Sequence, residues 1–260
     1  MSTNASIIFE EQDGVARVRL NRPAKRNALT GEMLERLKRI FTDIALRSDL
    51  RVVILSGEGE TFCAGTDISE LASLDEAEAR CKAESGQEVC GLIEHCGVPV
   101  IAALSGAAAG GGCELALGCH LRVAARSATF SLPETKLGII PAYGGTQRLA
   151  RIIGSGRAME MMLAGASLTA EEALRIGLVN AVVEPQQLSA EAETLARQIG
   201  ALAPLAIRAC LEAVTRGRDL PLAEGLKLEA ELFSRLFQTA DMREGTRAFL
   251  EKRQPIFKGK

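Results

Sequence analysis

LSGAAAGGGCELALGCH, residues 104–120, changes character halfway along. Small residues and three consecutive glycines, Gly110, Gly111 and Gly112, give way to a helix-like run with one acid, Glu114, among Leu115, Ala116 and Leu117. Glycines directly before a helix let a ligand approach the backbone, and the unpaired N–H groups of the first turn then point at it. Those donors lie at the positive end of the helix dipole and favour a negative charge, resident or transient. A carboxylate one turn away competes for the same field. Chemistry in which an oxyanion develops while a neighbouring carboxylate handles a proton accounts for the pairing. Tight packing of a helix on a sheet, with a glutamate that merely stabilises the dipole, accounts for the same residues without chemistry. Other glycine motifs do not fit. Residues 106–113 lack the Lys-Ser/Thr of a phosphate loop, and residues 57–62 lack the third glycine of a dinucleotide fingerprint. Ser105 has Ala103 where a nucleophile elbow needs glycine.

Working outward, residues 99–104 (PVIAAL) read as a buried strand that feeds the glycine run. The same arrangement stands earlier, where a buried strand at 51–56 leads through a polar loop into the small-residue turn FCAGTD, residues 62–67. Before it, strands at 6–10 and 15–20 meet at Gln12-Asp13-Gly14, and a polar loop at 21–30 precedes a helix over 31–47. Met33, Leu34, Leu37, Ile40, Phe41 and Ile44 form that helix's apolar face, and Thr30 is its expected N-cap. Residues 75–95 are helical in composition, weakened by Gly86 and Gly91. Downstream, 120–125 and 128–132 are expected to form a strand pair ending at Pro133-Glu134, followed by a helix with a glycine-rich entry at 143–153. Residues 169–172 form a capping box, and 179–183 are the last short strand. Helices are expected at 189–202, 204–216, 221–238 and 240–252. The fold class is therefore α/β, with two strand-strand-helix units, no clear sequence repeat, and a shift to all-α near residue 185.

At 260 residues the chain can bury a sizeable core. With no Trp and one Tyr, that core rests on Ala, Leu, Ile and Val. The net charge of −2 argues against a nucleic-acid surface, although Lys25-Arg26 is a local basic spot suited to a phosphate. Seven scattered cysteines without a CxxC pair, and two histidines outside any ligand motif, point to reduced buried thiols, a cytoplasmic location and no zinc. The N-terminal stretch MSTNASIIFEEQ lacks the regions of a secretory signal, and the run at 98–113 is too interrupted to span a membrane.

Three separated pieces have the character to converge. FCAGTD offers a backbone N–H at Ala64, and the glycine run offers another at Gly111. Two donors roughly 2.7–3.1 Å from a developing oxyanion make a hole for acyl transfer or an enolate. Glu114 and Glu134 supply two carboxylates, although Glu134 by itself also fits a solvated loop acid. Cys63 and Cys113 flank the hole, but neither has a histidine partner in a motif, and structural burial is the plainer reading.

The segments NRPAKRNAL (21–29), FCAGTDI (62–68), GAAAGGGCELALGC (106–119), PETKLGIIP (133–141) and GGTQRL (144–149) follow one another in an order and spacing that resembles the enoyl-CoA hydratase/isomerase (crotonase) family. The likeness runs from about residue 7 to the terminal IFKGK. It implies a spiral of strand-strand-helix repeats over 1–187 as catalytic core, and a helical trimerisation region over 188–260. It also implies a homotrimer or dimer of trimers. An acyl-CoA thioester carbonyl would sit between the amides of Ala64 and Gly111, with Gly65, Thr66, Asp67 and Ile68 contacting substrate. Lys25, Arg26, Phe257 and Lys258 are further expected CoA contacts, the last two against a neighbouring subunit's CoA; a frayed, solvated terminus is the other reading of that tail. Hydratases of the family carry both acids, whereas isomerases and dehalogenases commonly keep one or place theirs elsewhere. The implied activity is enoyl-CoA hydratase, adding water across the 2,3 double bond to give a 3-hydroxyacyl-CoA in acyl-CoA degradation. Glu114 would activate the water and Glu134 would protonate C2. CoA arrives with the substrate, so no separate cofactor is expected. An isomerase or another acyl-CoA lyase is the alternative, and an RNA-binding role has the charge balance against it. Thr66, where many relatives have Ala or Ser, and Ala142, in place of a common Gly, leave acyl chain length and branching open. Leu226, Leu228, Leu232, Phe233, Leu236 and Phe237 crowd one helix in a way that suits an oligomer.

Overall fold

The structure, a computed structural model, describes residues 5–260, so the first four residues of the N-terminal stretch just considered lie outside it. In chain order the strands are β1 (Ile7–Gln12), β2 (Val15–Leu20), β3 (Val52–Gly57), β4 (Val100–Leu104), β5 (Ala107–Ala109), β6 (Leu121–Ala125), β7 (Thr129–Ser131), β8 (Ser167–Thr169) and β9 (Ala181–Val183). The helices are α1 (Gly31–Ala45), α2 (Glu76–Glu94), α3 (Gly111–Gly118), α4 (Gly145–Ile153), α5 (Ser155–Leu163), α6 (Ala170–Arg175), α7 (Leu188–Gly200), α8 (Pro204–Gly217), α9 (Leu222–Leu236) and α10 (Ala240–Leu250).

A six-stranded sheet runs β1-β2-β3-β4-β6-β9, parallel except for the β1/β2 hairpin. Its central strands are continuous apolar runs because both faces are covered. Beside it lies a narrow second ladder. Leu29 bridges Thr66, Cys63 bridges Ala108, and β5 pairs with β7. Each of β2, β3, β4 and β6 thus feeds a short segment of the second ladder and then a helix, α1 to α4 in turn. The strand-strand-helix unit occurs four times, as successive coils of one spiral.

The segments expected to pair at 120–125 and 128–132 separate instead. β6 has both edges occupied, by β4 and β9, so no edge is left for β7. A turn closed by Ala128 N–H on Ala125 O sends the chain into the second ladder, between β5 and β8. The local predictions for α1 and α2 hold better. Thr30 Oγ1 accepts from Met33 N at 3.2 Å, and Met33, Leu34, Leu37, Phe41 and Ile44 are buried. Asp75 and Glu78 cap α2 reciprocally. Gly86 inside α2 has a packing cause, since a Cβ there would collide with the ring of Tyr143.

The sheet's second face, with Val52, Ile54, Ile101, Val123 and Ala125, is covered by Leu188, Ala192 and Ala196 of α7. Arg17 of β2 pins the same helix through both oxygens of Glu193, at 2.6 and 2.8 Å. α7, which lies beyond residue 187, thus packs as part of the sheet's core, and the helices that follow it begin with α8. There only Leu232 of α9 is buried, while Leu222, Leu226, Phe233 and Phe237 stand exposed. The chain end is tied down rather than frayed. Lys258 N and Gly259 N each reach the Asp241 carboxylate at 2.7 Å, and Lys260 O accepts from Ala240 N. Among the described residues no single helix is long and apolar enough to cross a membrane.

Candidate active site

α3 is a short helix whose eight residues are all buried, entered through Gly110. Its first turn presses on the FCAGTD loop so closely that a Cβ on Gly112 would collide with Cys63 O. Only a glycine lets the two backbones meet.

Which amides are free in this junction follows from accounting for each one. Phe62 N donates to Ser105 O, Cys63 N to Ala107 O, and Asp67 N to Leu29 O. Gly65 N faces Cys63 Sγ at 3.5 Å. Ala64 N donates to Arg26 O at 2.9 Å, so it is not available as the donor expected of it. Thr66 N is the loop amide with no acceptor among the described residues. Gly111, as the first residue of α3, likewise has no intrahelical acceptor. The two belong to one spot, since a Cβ on Gly111 would lie 3.0 Å from Thr66 Oγ1. The loop half of the hole therefore shifts from Ala64 to Thr66.

Both carboxylates face the same space. A cavity of about 440 Å³ is lined by Thr66, Gly111, Glu114 and Glu134 together with apolar side chains including Leu71 and Ile139. Glu114 is 2% exposed, and its Oε1 accepts from Tyr143 N at 2.8 Å and Gly145 N at 2.7 Å. Burial dominates and pushes its pKa up to about 7; the Gly145 and Tyr143 amides and Arg148 pull it down, and Glu134 pushes it further up. Glu134 opens a 3-10 turn after Pro133, and its buried Oε2 has no hydrogen-bond partner. Burial raises its pKa as well. Two carboxyl groups, each with its pKa raised by burial, beside two unpaired amides can stabilise an oxyanion while moving a proton.

The remaining predicted residues divide. Ala64, Gly65 and Ile68 line the cavity. Asp67 does not: its carboxylate is held by Arg22 at 3.2 Å and Ser69 Oγ at 2.7 Å, so it shapes the loop from behind. Lys25 and Arg26 are exposed, outside the cavity wall, one hydrogen bond from the loop through Arg26 O. Phe257 lies over Gly245, and Lys258 lines a separate cleft with Arg243, Arg247 and Arg253, so neither reaches this cavity within its own chain. Cys63 and Cys113 are buried, with burial raising the Cys63 thiol to about 12 and Cys113 higher still, which disfavours a thiolate. His120 is structural, accepting from Val100 N and facing Glu94 O, and burial lowers it to about 4.

Sequence reading passed over Tyr143 and Lys82. Tyr143 packs against Gly86 and Gly111, and Thr66 Oγ1 donates to its hydroxyl at 3.0 Å. Being the only tyrosine, directly before a glycine pair, was its one available signal. Lys82 reaches the wall from α2 but is paired with Glu70 at 2.5 Å. Among the described residues no group of three or more His, Cys, Asp or Glu is placed to hold a metal ion.

Fold and site together define an α/β protein with two unpaired amides, Thr66 and Gly111, and two carboxyl groups, Glu114 and Glu134, facing one largely apolar cavity. The family model described as "Enoyl-CoA hydratase/isomerase" matches residues 10–260, and the chain belongs to that family. It is 41% identical to the short-chain-enoyl-CoA hydratase of Clostridium acetobutylicum, over 96% of each chain. It is also 41% identical to the crotonyl-CoA hydratase of Syntrophomonas wolfei, over 97% of each. The solved enoyl-CoA hydratase of Bacillus anthracis superposes with a TM-score of 0.95 at 41% identity, covering 98% of this chain and 100% of that one.

Proposed function

We propose that this protein hydrates short 2-enoyl-CoA thioesters to 3-hydroxyacyl-CoA. The observation that carries the reading is one apolar cavity with two unpaired amides, Thr66 and Gly111, and two buried carboxyl groups, Glu114 and Glu134. The names of the Clostridium and Syntrophomonas relatives support a short acyl chain.

The thioester oxygen lies between the amides of Thr66 and Gly111. Glu114 takes a proton from water as its oxygen bonds to C3, and the double-bond electrons move onto the thioester oxygen, where the amides hold the charge. The enolate then collapses and C2 takes a proton from Glu134. The two acids exchange the proton for the next cycle; which holds it at rest is a property of the pair. Addition of water is redox-neutral, and CoA enters as part of the substrate, so the scheme uses no separate cofactor.

Assembly as a trimer or dimer of trimers is part of the same reading, supported by exposed Leu222 and Phe233 on α9 and Phe237 just past its end. In such an assembly Phe257 and Lys258 would meet a neighbour's CoA; Lys258 lines a cleft with Arg243 and Lys260, in which Arg247 and Arg253 are paired with Glu244. A cytoplasmic location fits the seven free thiols. The direct test is incubation with crotonyl-CoA while following the absorbance of the conjugated thioester. Loss of absorbance with formation of 3-hydroxybutyryl-CoA is expected; no hydration of any short or medium enoyl-CoA would overturn the proposal.

A further inference from the structure

Glu114 is aimed by a turn that α2 and α4 hold from outside: Gln87 Nε2 donates to Ala142 O at 2.9 Å, and Gln147 N and Arg148 N donate to Gly144 O. Both amides that fix its Oε1, from Tyr143 and Gly145, flank Gly144 at the start of α4. Gly144 has φ 106°, in the region that favours glycine. One turn into α4, Arg148 folds back over this turn. Its Nη1 donates to Tyr143 O at 3.1 Å, and it lies so near Gly144 that a Cβ there would collide with it. The other side of the guanidinium holds Glu94, at the end of α2, with Nε and Nη2 at 3.0 and 2.9 Å from Oε2. Glu94 is buried, and Arg218, just past α8, takes its second oxygen.

We propose that Arg148 is a positioning residue for the hydration: anchored by Glu94, it clamps the turn whose two amides aim Glu114 at the water. The proposal rests on reading Glu114 as the acid that handles the water. A salt bridge that only ties α2 to α4 would alter folding stability and leave Glu114 unchanged. The clamp instead couples α2 to the chemistry through one carbonyl and two amides. The charged and titratable groups facing Glu114 are Glu134 from the 3-10 turn, Tyr143 and Arg148 from the α4 entry, Cys90 from α2, and Cys113 beside it in α3; Lys82 of α2 lines the same cavity with its charge paired to Glu70. Arg148 is the member of that set that favours the ionised form of Glu114, so its removal raises the midpoint of Glu114 and loosens its aim.

The test compares Arg148→Gln and Glu94→Gln with the wild-type enzyme, using crotonyl-CoA kinetics and a carbon-13 titration of the Glu114 carboxyl assigned through Glu114→Gln. Arg148→Gln should lower kcat roughly 10–100-fold with KM within about 3-fold, the signature of a misplaced reacting group. Its Glu114 midpoint should move up by about half a unit or more. Glu94→Gln should lower kcat by a smaller factor, because the Tyr143 O contact survives. A folded Arg148→Gln variant with wild-type kcat and an unmoved Glu114 midpoint would overturn the proposal. If Arg148→Gln does not fold, wild-type kcat and an unmoved midpoint in Glu94→Gln do the same. Should the wild-type enzyme fail to hydrate crotonyl-CoA while the Glu114 midpoint still moves in Arg148→Gln, the hydratase reading fails and the clamp stands.

Discussion

Glu114→Gln separates chemistry from architecture. The amide oxygen of glutamine can accept the same bonds from Tyr143 N and Gly145 N that Oε1 accepts now, so the turn keeps its geometry. What disappears is the capacity to take a proton, and a general base is worth about 10²–10⁴ in kcat, or roughly 3–5 kcal/mol of barrier. KM for crotonyl-CoA should change only a few-fold, because the amides of Thr66 and Gly111 remain. The same variant should gain stability, and the sign follows from the titration. The Glu114 pKa rises from 4.5 to about 7 on folding, so below pH 4.5 its carboxyl is neutral in both states and has no differential effect. Between these values the unfolded chain ionises first and stability is lost; above about 7 the loss is complete. At roughly 1.4 kcal/mol per pKa unit, the full penalty is on the order of 3 kcal/mol. Thermal melts at pH 8 should therefore show the variant several degrees above wild type, with the gap closing near pH 4.5. Paired kinetics and melts decide the matter: kcat within about 3-fold of wild type, or equal melting at pH 8, would refute the reasoning.

Glu134→Gln should lower kcat by a similar factor, and the double variant should lose less than the product of the two, because the acids work as a pair that exchanges one proton in each cycle; multiplicative losses in steady-state assays would count against a coupled pair. Replacing Cys63 or Cys113 by Ala should leave turnover largely intact, and trapping of a hydroxylamine-sensitive acyl-enzyme would contradict that. Deleting residues 255–260 should raise KM more than it lowers kcat, since it removes binding common to ground and transition states; unchanged kinetics, or sedimentation of the full chain as a monomer, would dismiss a role for the tail.

Much of this was legible in the sequence where the determinants are local. Residues 15–20 are strand as their alternation requires, Thr30 caps its helix, and the positions of Glu114 and Gly111 follow from a glycine run meeting a helix. What escaped depends on distant chain. Ala64 and Thr66 are equally plausible donors until Arg26 and Leu29, nearly forty residues earlier, claim the amides on either side of Thr66. β5 consists of three alanines with no strand propensity, and it is a strand because Cys63 and β7 flank it. The spiral's four coils hid from the sequence for the same reason: the second-ladder segments are one to three residues long, too short to leave a period.

The four coils also distribute the chemistry. Thr66 belongs to the second, Gly111 and Glu114 to the third, Glu134 and the turn that aims Glu114 to the fourth. In the proposed reaction carbonyl recognition thus belongs to the middle coils, and the second acid sits on a later one, together with the turn that holds Glu114. On that proposal, substitutions around Glu134 can redirect where a proton lands while the amides of Thr66 and Gly111, on other coils, keep their grip on the thioester. Such an arrangement lets one ancestral scaffold try new reactions on the same class of substrate, one coil at a time.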